Sequence, residues 1–271
     1  MAGIPAAFLL VAFIIPNAFL LSASFVRSKA MVPTGQFTLG NYATLLSGSY
    51  YLHTILRTFI IGITTGVLVV VLSFPVAYLL VRTTSRWKGP LIALSLAPLL
   101  ASVIVRTYGW WVILNRQGVL NLLLQDLHLI DQPLRLLPST GAIIVGLTHA
   151  LLPYGVLSIM ASLNGLNPNL ERAAMSLGAG RARTFLTVTL PLSAPGIAGG
   201  FLLTFAIAIS AYATPSILGG ASTQVMATMI EQFMLQLLNW SLGSAMGVIL
   251  LLSALILLLI TFAMGRKVGP A

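Results

Sequence analysis

The sequence predicts an all-α membrane protein whose single chain crosses a bilayer six times. Three observations carry this. Of 271 residues, 58% are hydrophobic and only 7% are charged, more apolar surface than a soluble domain can bury. The apolar residues gather in six runs of about 20 residues or more, enough for a helix to cross about 30 Å of hydrocarbon. The 14 basic and 4 acidic residues fall almost entirely between those runs.

Taken in order, the first span covers residues 4–25. It lacks the basic n-region of a secretory signal and exceeds the usual length of the apolar region in one. A polar loop rich in Gly, Ser and Thr follows, from Arg27 to Tyr51. The second span, 55–81, carries Gly62 and Gly66 at a spacing that suits close helix packing, and Pro75 as an expected kink. A short basic loop holds Arg82, Arg86 and Lys88. The third span, 91–114, is interrupted by Pro98 and Arg106. A longer loop then contains an amphipathic stretch, Val119 to Leu129, expected as an interfacial helix. The fourth span, 141–163, contains His149 and Pro153. Residues 164–195 form a polar connection, and the fifth span runs over 196–216. An outer loop with an amphipathic stretch at Val225 to Leu238 leads to the sixth span, 243–264, and Arg266-Lys267 follow it. The whole reads as one transmembrane domain, 1–271.

Six spans place both ends of the chain on one side, with the second-to-third loop and the 164–195 connection. That side holds eight basic residues: Arg82, Arg86, Lys88, Arg172, Arg181, Arg183, Arg266 and Lys267. The opposite side holds four: Arg27, Lys29, Arg116 and Arg135. Basic residues are retained on the cytoplasmic side, so the connection and both termini are expected in the cytoplasm. The net charge of +10 therefore needs no nucleic acid to explain it; the expected surroundings are membrane lipid and protein partners.

The connection is the most informative stretch. Asn167 is a suitable N-cap with Pro168 at the first helical position. Leu170, Ala174 and Leu177 recur on one face, and Gly178 is a left-handed terminator. A second short helix fits Arg181 to Thr189, with Pro191 as its expected stop. Two short helices joined at a glycine between membrane spans form a docking surface for a soluble partner.

Catalysis finds little support. The four carboxylates, Asp126, Asp131, Glu171 and Glu231, all fall in loops and no pair shares a helix face for acid/base work. His53, His128 and His149 are scattered without ligand spacing, and cysteine is absent, so no metal site is expected. The Gly178-Ala179-Gly180 turn lacks the preceding strand and the GK[ST] of a phosphate loop. The chain is not expected to be an enzyme or to bind a cofactor, and its energy must come from a partner or a gradient. Arg106 is costly at membrane depth and stands beside Tyr108, Trp110 and Trp111. It therefore either reaches the outer interface, with the tryptophans as an aromatic belt, or contributes to a solute path together with Tyr108, Trp110, His149, Tyr154 and Tyr212.

Arg172-Ala173-Ala174, Gly178, Val188 and Leu190-Pro191 resemble the EAA loop of ABC importer permeases, EAA-x3-G-x9-I-x-L-P, in every spacing. One position departs: the family's glutamate falls on Arg172, and Glu171 stands one residue earlier. VRTYGWWVIL at 105–114, PSILGG at 215–220, Glu231-Gln232-Phe233 and Asn239 to Gly243 resemble permeases of the spermidine/putrescine importer family. The resemblance covers about Phe8 to Ile260. It implies the type I ABC importer permease fold, with Glu171, Arg172, Ala173, Ala174, Gly178, Val188, Leu190 and Pro191 coupling to a cytoplasmic ATPase. It further implies a second permease subunit, two ATPase subunits that bind the ATP and Mg, and a periplasmic or lipid-anchored solute-binding protein in a bacterial inner membrane. The implied solute is a polyamine. Relatives carrying opines, phosphonates or iron keep an anionic or zwitterionic solute open, which Arg106 and the positive charge would suit. An ATPase-independent secondary transporter is the rival class; the spans offer it no carboxylate for ion coupling and no visible inverted repeat.

Overall fold

The computed structural model describes residues 3–29 and 32–267, with side chains described for 8–27 and 35–260. Both termini and the side chains of Lys29, Arg266 and Lys267 lie outside that range, as does the terminal orientation expected from them.

The chain begins with α1 (Gly3–Ser24). The polar loop expected next instead contains a hairpin, β1 (Val26–Lys29) antiparallel to β2 (Val32–Phe37). Asn41 stabilises its start, its side-chain amide donating to the carbonyls of Ser24 and Val26 at 2.8 and 3.0 Å. Asn41 belongs to α2 (Gly40–Ser47), after which α3 (Ser49–Arg82) runs 34 residues without interruption through Pro75.

The third predicted span is broken into α4 (Lys88–Leu100) and α5 (Val103–Leu114). The axis turns by 95° between Lys88–Leu100 and Val103–Asp126. Pro98 removes one ladder hydrogen bond, and within three residues Ala101 leaves helical geometry, at ψ 142°. Next come α6 (Val119–Asp126) and α7 (Thr140–Asn164), the latter capped by Ser139, whose Oγ accepts from the Ala142 N–H. The connection holds α8 (Pro168–Ser176), α9 (Arg181–Thr184), a π turn over Phe185–Thr189 and α10 (Leu190–Leu192). The fifth predicted span is covered by α11 (Ala194–Ser210), which ends six residues early; after the break at Ala211 and Tyr212 comes α12 (Ala213–Leu218). The amphipathic stretch is α13 (Met226–Glu231) with a π turn over Gln232–Gln236, and α14 (Trp240–Lys267) completes the described chain.

Among the described residues, three helices are long and apolar enough to span a membrane: α3, α7, and α14 over Trp240–Ile260. The α4–α5 pair and the pair Arg181–Leu192 and Ala194–Ser210, bent by 61°, qualify as two broken spans, and α1 is apolar but shorter over Phe8–Ser24. The six predicted runs thus appear as three unbroken helices, two bent pairs and α1.

The chain divides into two compact units. The first comprises Met1–Phe59 and Gln224–Ile256. Its core joins Leu45 and Ile55 to Met226, Met229, Phe233, Ala245 and Met246. The backbone N–H of Met226 donates to Thr58 Oγ1 at 2.9 Å. The second unit comprises Ile60–Thr223 and Leu257–Ala271. Its centre is α7, packed on α3 and α11 through small residues. A Cβ at Gly62 would lie 2.4 Å from the Ile209 side chain, and one at Gly155 2.5 Å from Ser73 Oγ. Without side chains there, α3 and α11, and α3 and α7, approach closely enough for their remaining side chains to interlock. Buried below them, Phe74, Ala77 and Leu80 of α3 meet Val156, Ile159 and Leu163 of α7. It is on this end of α3 and α7 that the polar connection is mounted.

Candidate functional site

Helix α8 forms where its caps dictate. Asn167 Oδ1 accepts from the Asn169 N–H at 3.0 Å, and Pro168 occupies the first turn, where no N–H is needed. At the other end Gly178 takes φ +88°. Its N–H reaches the Met175 carbonyl, and the Ala179 N–H reaches that of Ala174, at 3.0 and 3.1 Å. These two bonds form a Schellman ending, which requires a left-handed residue and so favours glycine.

The helix then sorts its residues. Glu171 turns inward, where Arg82 Nη2 donates to its Oε1 at 2.6 Å and Thr189 Oγ1 donates to the same oxygen at 2.8 Å. The acid and the guanidinium are 17% and 23% exposed, so the pair is shielded from most solvent screening. Outward stand Arg172 and Ala173, while Ala174 is half-buried. Leu177 is 90% exposed and Gly178 is open, with nothing within 4 Å of where a Cβ would lie. The apolar face predicted for Leu170, Ala174 and Leu177 therefore looks largely away from the protein.

Beyond Gly180 the helical backbone continues through Pro191 rather than stopping there. The π turn over Phe185–Thr189 carries the Leu190 N–H back to the Phe185 carbonyl, and the helix bends only at Ser193, by 61°. A proline in the first turn of α10 and the wider π ladder make its missing N–H tolerable. Val188 is half-buried here and Pro191 exposed. Phe185 lies edge-on to Phe74 and Tyr78, with centroids 5.5 and 5.9 Å apart, and Arg82 lies over the Tyr78 ring at 5.8 Å. Leu190 packs against the same core. Val70, Phe74, Tyr78, Arg82, Phe185 and Leu190 also line an apolar groove of about 830 Å³. The connection is thus an exposed α8 fixed at its base by an ion pair and an aromatic wedge.

The sequence singled out Glu171 but not its partners Arg82 and Thr189, nor Phe185. A signal existed for Arg82: it is a cation at the end of a span on the side whose only carboxylate is Glu171.

The residues predicted for a solute path are arranged differently from one another. Trp110 and His149 are brought together, Trp110 Nε1 donating to His149 Nδ1 at 3.2 Å. Beside them Thr107 and Thr214 bond through their hydroxyls at 3.1 Å, joining α5 to α12. Arg106 turns back across the α4–α5 break, its Nη1 donating to the Pro98 carbonyl. That carbonyl belongs to the last turn of α4, where no intrahelical donor remains and a cation is favoured by the helix dipole. Tyr108 and Tyr212 are exposed and Tyr154 is half-buried in α7.

Apolar helices long enough to span a bilayer, with an exposed helix tethered at their polar end, define a multi-pass membrane protein. The chain belongs to the family of binding-protein-dependent transport system inner membrane components, which matches residues 36–270. It is 31% identical over 253 residues to the spermidine/putrescine transport system permease protein PotB of Salmonella typhimurium (strain SL1344), covering 93% of this chain and 88% of that one. To the inner membrane ABC transporter permease protein YdcU of Escherichia coli (strain K12) it is 34% identical over 203 residues, 70% of this chain and 64% of that one. Among solved structures, its fold matches a chain of a bacterial ABC transporter that imports the acidic polysaccharide alginate, with TM-score 0.77 and 19% identity over 98% of this chain and 94% of that one. It also matches a chain of the MetNI methionine ABC transporter, with TM-score 0.62 and 16% identity over 81% and 96%.

Proposed function

We propose that this chain is one permease subunit of an ATP-driven importer that moves a polyamine, spermidine or putrescine, into the cytoplasm. The observation that carries the transport mechanism is the connection itself: α8 offers Leu177, Arg172 and the Gly178 turn outward while Glu171 ties its base to the end of α3. A partner ATPase seated on α8 would move it and, through Arg82, the second span. The working assembly is this chain with a second permease subunit, two cytoplasmic ATPase subunits that bind the ATP and Mg, and a solute-binding protein outside. Both termini are then cytoplasmic, as the excess of basic residues on the α8 side favours. The chain itself supplies the path and the gate and carries no catalytic group.

The solute reading rests on the spermidine/putrescine permeases, to which the chain is similar over almost its full length. The chain offers a polycation aromatic faces rather than carboxylates, and exposed Tyr108, Trp111 and Tyr212 supply them. An anionic or zwitterionic solute would draw on Arg106, of which Nη1 already donates to the Pro98 carbonyl while Nε has no partner. Proteoliposomes holding the whole complex, supplied with ATP and the binding protein, should accumulate labelled putrescine or spermidine. If neither enters and neither stimulates ATP hydrolysis, the polyamine reading is wrong.

A further inference from the structure

The surface around α8 carries positive charge without internal compensation. Arg172, Arg181 and Arg183 are all exposed. Between Asp131 and Glu231 the sequence holds one carboxylate, Glu171, and its Oε1 is already engaged by Arg82 and Thr189. The nearest acceptor for Arg172 is neutral, Asn169 Oδ1 at 3.4 Å. Among the described residues no carboxylate lies within ion-pairing distance of the three arginines.

The three exposed arginines and the projecting Leu177 together describe the surface that must receive α8. With about 100° per residue in an α-helix, Arg172 falls between Met175 and Ser176 within the exposed arc, and Leu177, five residues on, stands about 140° round the axis towards the far edge of that arc. A cation on one flank and a fully projecting leucine on the other fit a recess that wraps the helix, with an apolar floor and a charged wall.

We infer that the partner docking on α8 receives it in an acidic recess, with a carboxylate facing Arg172 and further acidic groups facing Arg181 and Arg183. This rests on the ATPase-docking reading above and adds the chemistry of the receiving surface. Leu177 fills the floor of that recess, and Arg172 sets its register on the wall. Glu171 stays out of the contact because its charge is satisfied within the chain.

The test uses the purified whole complex with the permease tagged, in nanodiscs of zwitterionic phosphatidylcholine or of phosphatidylcholine with phosphatidylglycerol. ATPase retained on the permease is measured across a salt titration for wild type, R172E, R172K and the triple variant R172E/R181E/R183E. Retention should weaken with salt, drop about tenfold in R172E, stay near wild type in R172K and vanish in the triple variant, in both lipid compositions. Replacing acidic residues of the ATPase recess by lysine should restore retention to R172E, which a merely misfolded variant could not show. Equal retention and an equal salt response in wild type and triple variant would overturn the acidic recess while leaving docking intact. An effect seen only in discs containing phosphatidylglycerol would assign the arginines to lipid headgroups and overturn it too. A wild-type complex that holds no ATPase at low salt would instead remove the docking reading beneath it.

Discussion

Glu171 and Arg82 are separated by 89 residues of sequence and lie 2.6 Å apart. The pair joins α8 to the end of α3. Removing the acid would leave Arg82 without a carboxylate, with its Nε already lacking a partner. Deleting one member of a mostly shielded pair should cost about 2 kcal/mol, below the value for fully buried pairs because both groups keep some solvent. Glu171→Gln is therefore expected to lower the melting temperature and to let ATP be hydrolysed with little solute moved. The exchanged pair Arg82→Glu/Glu171→Arg should recover part of both losses. Unchanged thermal melting and transport in Glu171→Gln would show the pair to be idle.

Gly178 separates strain from docking. Its φ of +88° penalises any Cβ, yet nothing of the chain lies within 4 Å of where that Cβ would stand. Gly178→Ala should cost the isolated permease about 1 kcal/mol, and Gly178→Asn less, since asparagine tolerates the left-handed region. Gly178→Asp should insert normally but lose its ATPase and its transport, because any bulk there meets the partner. Wild-type uptake by Gly178→Asp at normal expression would argue against docking at this turn.

The absence of cysteine makes orientation directly measurable. Ser85→Cys and Ser176→Cys should be shielded from an impermeant thiol reagent in intact cells, and Ser222→Cys should react. All three serines are exposed. Labelling of position 176 from outside would reverse the orientation.

Close packing makes a fourth test. A Cβ at Gly62 would meet Ile209 Cγ2 at 2.4 Å and Phe205 at 3.0 Å, whereas Gly109 has nothing within 4 Å. Gly62→Val should destabilise the permease by about 1–3 kcal/mol through overpacking, and Gly109→Ala should leave it unchanged. Equal melting curves for the two variants would contradict the α3–α11 contact.

The legible part of the fold was what depends on local composition. Apolar runs located α3, α7 and α14 to within a few residues, apart from the six residues by which α3 starts early. The caps Asn167 and Gly178 fixed both ends of α8, because cap chemistry is written in adjacent residues. Tertiary bonds were not legible in this way. Pro98 marks an interruption of the third span, but nothing in the sequence indicates that the guanidinium of Arg106 closes the end of α4. The hairpin before α2 depends on Asn41 reaching back 15 and 17 residues. Pro191 was misread as a stop because the π turn that accommodates it leaves no mark in the residue pattern.

Under a load applied at α8, the bend at Ser193 would act as a bell-crank. The segment Arg181–Leu192 meets Ala194–Ser210 at 61°, so a thrust along the first resolves into a smaller part along the second and a larger part across it. Phe185, packed edge-on against Phe74 and Tyr78, sits on the short arm, nearer its outer end than the elbow, and would be its fulcrum. Pressure delivered at α8 would therefore reach α11 mainly as sideways swing, the direction that parts neighbouring helices, and only secondarily as a push along its axis.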